Sequence, residues 1–186
     1  LVLHDRARDE IPALAARLSA GAVFANEDYE PSATDRDAAV GRALEADGRR
    51  LHLAKDQAIF ARDEILTRTG GPFSVFTPYK RAWLAKVDDY YLKPYPVERH
   101  AVNLAPAGYG KPVPPLETLG FAATDLASLP VVAGMSGAER LFTDFEARIS
   151  RYAAARDFPA VKGVSYLSVH NRFGTISIRD LARAAW

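Results

Sequence analysis

The sequence predicts an α/β fold that gives way to helices towards the C-terminus, and three patterns support this. Over residues 1–87, short apolar runs alternate with helical periodicity, which is typical of a parallel sheet covered by helices. Over residues 88–135, Pro and Gly recur so often that no long periodic run survives, which indicates an irregular linker. Over residues 136–186, apolar residues return at helical spacing and predict the start of a helical domain.

The N-terminal part predicts three neighbouring parallel strands. Residues 1–3 look like the end of a buried strand, and residues 22–26 and 50–54 predict the next two. Helical patterns over 8–19 and 33–47 separate them. Because ligands bind beyond the carboxyl ends of such strands, the loops of interest are 4–7, 26–37 and 55–61.

Further helices are predicted on both sides of the linker. Before it, residues 62–68 and 79–87 carry helical patterns. After it, a long helix is expected over 136–155, with Ser136 and Glu139 as a capping box. A last helical segment begins at Ser177.

Composition excludes several classes of site. The 186 residues are 48% hydrophobic and 25% charged, so a packed core is expected, and the net charge of +1 favours no partner by itself. The absence of Cys removes disulfides, Cys-ligated zinc and a Cys nucleophile. No apolar run is long enough to predict a membrane span. The chain opens within an apolar run without Met, so we expect an internal piece of a longer protein.

Two serines near the C-terminus offer the strongest local signal. Ser165 and Ser168 stand three apart, just before an apolar helical run. Serine at such a position caps the free N–H groups of a first helical turn. The same N–H groups and the helix dipole suit a phosphate or pyrophosphate. Spacing alone leaves both interpretations open.

The residue sequence from Tyr152 to Ser177 resembles that of a known family. Tyr152, RDFP at 156–159, GVSYLS at 163–168 and RFGTIS at 172–177 resemble, in order, the flavin-binding entry of the DNA photolyase/cryptochrome family, in a form close to its class I members. NEDYEP with RD within 26–37, and VFTPYKRAW at 75–83, resemble that family's N-terminal domain. The resemblance implies a partial Rossmann-like parallel sheet, a long linker and the start of an all-helical FAD-binding domain.

The resemblance also implies site residues. FAD would contact six residues near the helical entry: Tyr152, Val164, Ser165, Tyr166, Leu167 and Ser168. Val164 departs from the family pattern, which commonly has Thr there, so one hydroxyl is lost. Arg156 would contact DNA phosphate, although an Arg beside Asp157 is often only a surface ion pair. No side chain is expected to act as a nucleophile or metal ligand.

A second, light-harvesting chromophore is implied for the 26–37 loop. Asp28 and Arg36 match positions that contact this pigment in deazaflavin-using members. Folate-using members have an Asn-Glu pair where this chain has Ser32-Ala33, so deazaflavin is favoured over folate, and an empty pocket is the other alternative.

The function implied is light-driven DNA repair. Reduced FAD would pass an electron to a cyclobutane pyrimidine dimer in UV-damaged DNA, and the protein would hold the flavin against the extruded lesion. We expect a monomer in the cytoplasm with no membrane partner. The alternative is a cryptochrome-type photoreceptor without repair activity. A stand-alone nucleotide-binding α/β domain is disfavoured by the helical-entry motif.

Overall fold

The computed structural model describes residues 1–105, 112–125 and 128–186. Two compact units are present, one made of Leu1–Ala61 with Pro96–Ala123, the other of Arg62–Tyr95 with Thr124–Trp186. The domain boundaries suggested by the sequence, near residues 87 and 135, stay a prediction.

The first unit carries the parallel sheet. Strand β1 (Ala22–Asn26) pairs in parallel with β2 (Arg50–Ala54), and Ala22 lies opposite Arg50. Helix α1 (Ala7–Arg17) precedes β1, and α2 (Pro31–Ala46) crosses from β1 to β2. This strand–helix–strand unit confirms the α/β prediction. The predicted strand at residues 1–3 is wrong: these residues form no ladder, and their apolar side chains are exposed.

Small and branched apolar side chains form the core of this unit. Ala15 of α1 is buried against Val40 and Leu44 of α2, and Val23 and Leu51 of the two strands pack onto them. Each fully buried aliphatic side chain contributes about 1.5–3 kcal/mol. The helical periodicity of α1 and α2 therefore places their apolar faces on one side of the sheet.

The second unit is helical, and its helices are short. They are α3 (Phe76–Lys86), α4 (Asp89–Leu92), α5 (Gly134–Glu146), α6 (Tyr152–Ala155), α7 (Ser168–Phe173) and α8 (Ile178–Ala185). Helix α4 packs against α8, and α5 lies against α7. As predicted, Ser177 begins the last helix, because its hydroxyl accepts a hydrogen bond from the Asp180 N–H at 3.4 Å.

Three helix predictions need correction. Residues 62–68 form turns, because Thr67 Oγ1 accepts from the Gly71 N–H at 3.1 Å and competes with helical pairing. The helix expected over 136–155 breaks into α5, a 3₁₀ turn at Ile149–Arg151 and α6. Ser136 caps nothing, because α5 begins two residues earlier and Ser136 falls inside its first turn.

The described parts of the predicted linker contain only short elements. Besides α4, these are 3₁₀ helices at Val97–Asn103 and Leu116–Leu119. Residues 106–111 and 126–127, which include several of the Pro and Gly that define the linker, lie outside the described residues. Among the residues that the structure describes, no helix combines the length and the apolar composition needed to cross a membrane.

Candidate functional site

A buried arginine anchors the loop that joins α6 to α7. Arg148 follows α5, and only 8% of its surface is exposed. Its guanidinium donates to the backbone carbonyl of Lys162 at 2.7 Å and to that of Val164 at 2.8 Å. The Nε and Nη2 groups both donate to Asp144 Oδ2, at 3.0 and 2.9 Å. The start of the GVSYLS stretch is thus tied to the end of α5.

The carboxylate of Asp144 completes this network. Its Oδ2 atom binds Arg148, and its Oδ1 atom accepts from Lys162 Nζ at 2.9 Å. The hydrogen bonds from Lys162 and then Arg148 lower the pKa of the Asp144 carboxyl below its usual range. The loop is therefore held to α5 through the side chain of Lys162 and through two backbone carbonyls.

Close backbone packing requires glycine at position 163. Gly163 is buried, and a Cβ atom there would overlap the carbonyl carbon and oxygen of Ala155 at the end of α6. Its N–H donates to the Val161 carbonyl at 2.7 Å, which tightens the turn. The glycine lets the loop pass directly against the C-terminus of α6.

The predicted cofactor residues of the loop lie around the start of α7. Ser168 is the first residue of α7, and Leu167 before it is buried. Ser165 Oγ accepts weakly from the Leu167 N–H at 3.4 Å. Tyr166 has a φ of 58°, a left-handed conformation that costs a non-glycine residue about 1–3 kcal/mol and tends to occur at functional sites. The N-cap residue of α7 is Leu167, which has no side-chain capping group. The predicted capping of this helix by serine is therefore limited to the weak contact of Ser165.

Tyr152 and Arg156 lie together at α6. Tyr152 begins that helix, and its half-exposed ring meets Phe145 edge to face, with centroids 6.0 Å apart. The Arg156 guanidinium lies 5.6 Å from the Tyr152 ring centroid. It also pairs with Asp157 at 3.6 Å, and its side chain remains 51% exposed. The Arg156 side chain is therefore exposed enough to contact a phosphate.

His170 of α7 is a buried polar residue. It is 2% exposed, and its Nδ1 atom lies 2.8 Å from Thr175 Oγ1. Its Nε2 atom is buried and has no hydrogen-bond partner among the described residues. The Thr175 N–H donates to the His170 carbonyl at 3.0 Å, so both contacts join the end of α7 to the start of the next turn.

A cavity of about 480 Å³ opens beside this loop. None of the six predicted cofactor residues lines it. Its walls come from α6, the residues before α6 and the loop: Arg148, Arg151, Ala154, Ala155, Phe158, Val161, Lys162 and Gly163. The cavity and the predicted cofactor residues thus share the loop but use different parts of it.

The predicted antenna residues lie in the first unit, after the carboxyl end of β1. Asp28 Oδ1 accepts from the Glu30 N–H at 3.1 Å, which forms a tight turn before α2. Arg36 Nε donates to Asp37 Oδ1 at 2.8 Å. That hydrogen bond, with the charges of Asp37 and Asp28, raises the pKa of the Arg36 guanidinium. Asn26 Nδ2 donates to Asp56 Oδ2 at 2.8 Å, so the two loops beyond the strands meet.

The residues that sequence reasoning missed are those that support the loop. Arg148 and Asp144 carry no sequence signal, because charged residues four apart on a helix usually face solvent. Gly163 enters the sequence analysis only as the first residue of the GVSYLS motif, although a glycine two residues before the first serine could have indicated close backbone approach. Among the described residues, no cluster of three or more His, Cys, Asp or Glu side chains could hold a metal ion.

Comparison with known proteins assigns the family. The DNA photolyase family model matches residues 1–100. Over its full length, the chain is 35% identical to the deoxyribodipyrimidine photo-lyase of Synechococcus and 37% identical to that of Halobacterium salinarum. It spans 39% and 38% of those proteins' lengths.

A solved structure agrees with this match. The chain superimposes on the crystal structure of a class III photolyase from Agrobacterium tumefaciens with a TM-score of 0.78 and 27% sequence identity. That likeness covers 97% of this chain and 38% of the other. Because the family model matches more than half of the residues and the structural likeness covers nearly all of them, the chain belongs to the DNA photolyase family.

Proposed function

We propose that the intact protein containing this chain is a light-driven DNA repair lyase that splits cyclobutane pyrimidine dimers, with reduced FAD as the electron donor. The observation that carries this proposal is the match of the whole chain, at 35% and 37% identity, to proteins named deoxyribodipyrimidine photo-lyase. No observation favours the cryptochrome-type photoreceptor, which becomes an outcome of the test. The proposal includes a monomer acting in the cytoplasm, and these two points rest on the family alone.

The residues around the α6–α7 loop fit a flavin dinucleotide. The Ser168 hydroxyl is exposed at the start of α7, and Tyr152 and Tyr166 are both partly exposed. Arg148 already binds the carbonyl oxygens of Lys162 and Val164, so these oxygens are not presented to an anion. Ser165, Ser168 and the backbone from Val164 to Leu167 are therefore the proposed ligands of the pyrophosphate.

When bound, reduced FAD supplies the electron that opens the dimer and takes it back afterwards. The role of the chain's own residues is to bind and orient the FAD. Val164 offers no hydroxyl where the family commonly has Thr, so two serines and the backbone N–H groups carry the phosphate contacts. Tyr152 offers an aromatic edge beside the loop.

DNA and antenna contacts complete the proposal. Arg156 is proposed to bind a DNA phosphate, because its fork can meet two phosphate oxygens and its side chain is exposed. Asp28 and Arg36 are proposed to contact an antenna pigment, with a deazaflavin favoured over a folate. Arg36 keeps its charge against Asp37 and Asp28, which suits an anionic or hydrogen-bonding pigment.

Repair activity tests the function directly. The intact protein, purified with its flavin reduced, would be mixed with an oligonucleotide that contains one thymine dimer. We expect the dimer to disappear under blue light and to persist in the dark. Bound flavin without any light-dependent loss of dimers would overturn the repair proposal and support the photoreceptor.

Flavin retention tests the cofactor residues. Removing both hydroxyls in Ser165→Ala with Ser168→Ala should lower the FAD occupancy of the purified intact protein, because a hydrogen bond to a charged group contributes about 1.5–3 kcal/mol. The control is Ser150→Ala with Ser136→Ala, which removes two exposed hydroxyls elsewhere in the helical unit. Equal occupancy in both double variants would remove the serines from the site.

A further inference from the structure

Arg148 is a buried charge that neither the flavin ligands nor the DNA contact explains. Burying a guanidinium costs free energy unless its donors are paired. One carboxylate, Asp144, offsets the charge, and it lies on the same helical stretch. The other two hydrogen bonds of the guanidinium go to backbone carbonyls of a loop, 14 and 16 residues further along the chain.

The two carbonyls that Arg148 binds lie immediately before the first serine. They belong to Lys162 and Val164, and Gly163 between them is held against Ala155. In a trans peptide the carbonyl of one residue and the N–H of the next point in opposite directions. Because the Val164 carbonyl points at Arg148, the Ser165 N–H points away from it. That N–H has no partner in the part of the chain that the structure describes.

Aromatic rings keep the guanidinium in place. The Arg148 guanidinium carbon lies 5.3 Å from the Phe145 ring centroid and 6.0 Å from that of Tyr166. Tyr166 is the loop residue with a positive φ, so the strained position also contacts the arginine. Cation–π contacts of this kind attract a guanidinium to the ring face. The loop therefore touches Arg148 through two carbonyls and one ring.

We propose that Arg148 is a positioning residue of the flavin site, which fixes the peptide between Val164 and Ser165 so that the Ser165 N–H and the serine hydroxyls face the FAD pyrophosphate. This inference rests on the proposed function, and it concerns how that site is held. Arg148 itself touches no phosphate. A lysine could neutralise Asp144, but it lacks the planar fork that reaches two carbonyls at once.

The test is a double-mutant cycle on FAD affinity in the intact protein. Dissociation constants would be measured by flavin fluorescence for four proteins: wild type, Arg148→Lys, the Ser165→Ala and Ser168→Ala double variant, and the combined triple variant. We expect Arg148→Lys to weaken FAD binding roughly tenfold, as loss of one charged hydrogen bond does. In the double-serine background, the same change should have a smaller effect, because the hydroxyls that the arginine positions are gone and only the backbone N–H of residue 165 still depends on it.

Arg151→Lys is the matched control. Arg151 lies three residues from Arg148, is exposed, and lines the neighbouring cavity. We expect this change to leave the FAD dissociation constant within about twofold of wild type, which is the size of most surface effects. Thermal unfolding of each flavin-free protein would separate a local effect on the loop from general loss of stability.

The outcomes separate the two proposals. If wild type binds FAD and Arg148→Lys changes its dissociation constant no more than Arg151→Lys does, the positioning role is overturned while the flavin site stands. If wild type binds no FAD, the flavin site fails and the positioning role fails with it. If Arg148→Lys does not fold, Asp144→Asn replaces it, since it keeps the guanidinium and removes only the carboxylate that orients it. An FAD dissociation constant equal to that of wild type would again overturn the positioning role.

Discussion

Asp144 holds two cations with its two oxygens, and this gives one residue a pH-dependent role. Arg148 binds Oδ2, and Lys162 binds Oδ1. Because the pKa of the Asp144 carboxyl is lowered, the folded protein keeps it ionised at pH values where the unfolded chain takes up a proton. The stability from this network is therefore complete above the ordinary carboxyl pKa of about 3.9 and is lost as the pH falls through the lowered value.

Asp144→Asn makes this a measurable prediction. Wild type should be more stable than the variant at neutral pH, and the difference should shrink as the pH falls below about 4. Urea unfolding of both proteins at a series of pH values would measure it. Asp157→Asn is the control, because its pair with Arg156 is exposed and 3.6 Å long, and we expect little effect. A difference for Asp144→Asn that stays constant from pH 7 to about 3 would contradict the prediction.

The joint between α7 and α8 depends on one side-chain hydrogen bond. Gly174 ends α7 with a φ of 64°, a left-handed conformation that glycine adopts without strain. Thr175 then turns back, and its hydroxyl lies 2.8 Å from His170 Nδ1. Since His170 is almost fully buried, the loss of this partner would leave a second ring nitrogen unpaired.

Changes at Thr175 test this joint. Thr175→Val keeps the shape and removes the hydroxyl, so we expect the free energy of unfolding to fall by about 1–3 kcal/mol, the cost of an unpaired buried polar group. Thr175→Ser keeps the hydroxyl and should cost much less. Chemical denaturation of the two variants and wild type gives the comparison. Equal stability of the valine and serine variants would show that the hydrogen bond contributes nothing.

Elements that depend on local pattern were predictable from the sequence, and those that depend on distant contacts were not. The apolar faces of α1 and α2 and the two short strands follow from periodicity, and the observed bounds differ by at most two residues from the prediction. The break after α5 was not predictable, because Arg148 is drawn to carbonyls 14 and 16 residues away. The turn at 62–68 depends on Thr67 bonding to Gly71, which outweighs a helical pattern.

The candidate site likewise has a part that was predictable from the sequence and a part that was not. Ser165, Ser168 and Tyr152 were found through a motif, and the structure brings Ser168 to the start of a helix and Tyr152 beside Arg156. Their roles stay predictions. The support of the loop by Arg148 was invisible in the sequence, since nothing there distinguishes a buried arginine from a solvated one.

At the scale of the whole molecule, the net charge of the chain does not by itself indicate DNA as the partner. The chain has a net charge of +1, so its own contribution to DNA binding would come from local cations rather than from an overall field. Arg156 is one such cation, and its weak pair with Asp157 leaves the guanidinium able to turn outward. Exposed ion pairs contribute at most about 1 kcal/mol, so exchanging the aspartate for a phosphate costs little.

Replacing Arg156 with Ala in the intact protein should therefore weaken binding of dimer-containing DNA and reduce its salt dependence by about one counterion. The flavin absorbance should not change, because Arg156 is not among the proposed flavin ligands. Titrations of a dimer-containing oligonucleotide at two salt concentrations measure both effects.

Arg8→Ala is a matched control, because Arg8 also pairs with the aspartate that follows it, at 3.9 Å, and is 56% exposed. If the two variants show the same affinity and the same salt slope as wild type, Arg156 makes no phosphate contact. If both lose affinity equally, the effect is one of overall charge rather than of a site at α6.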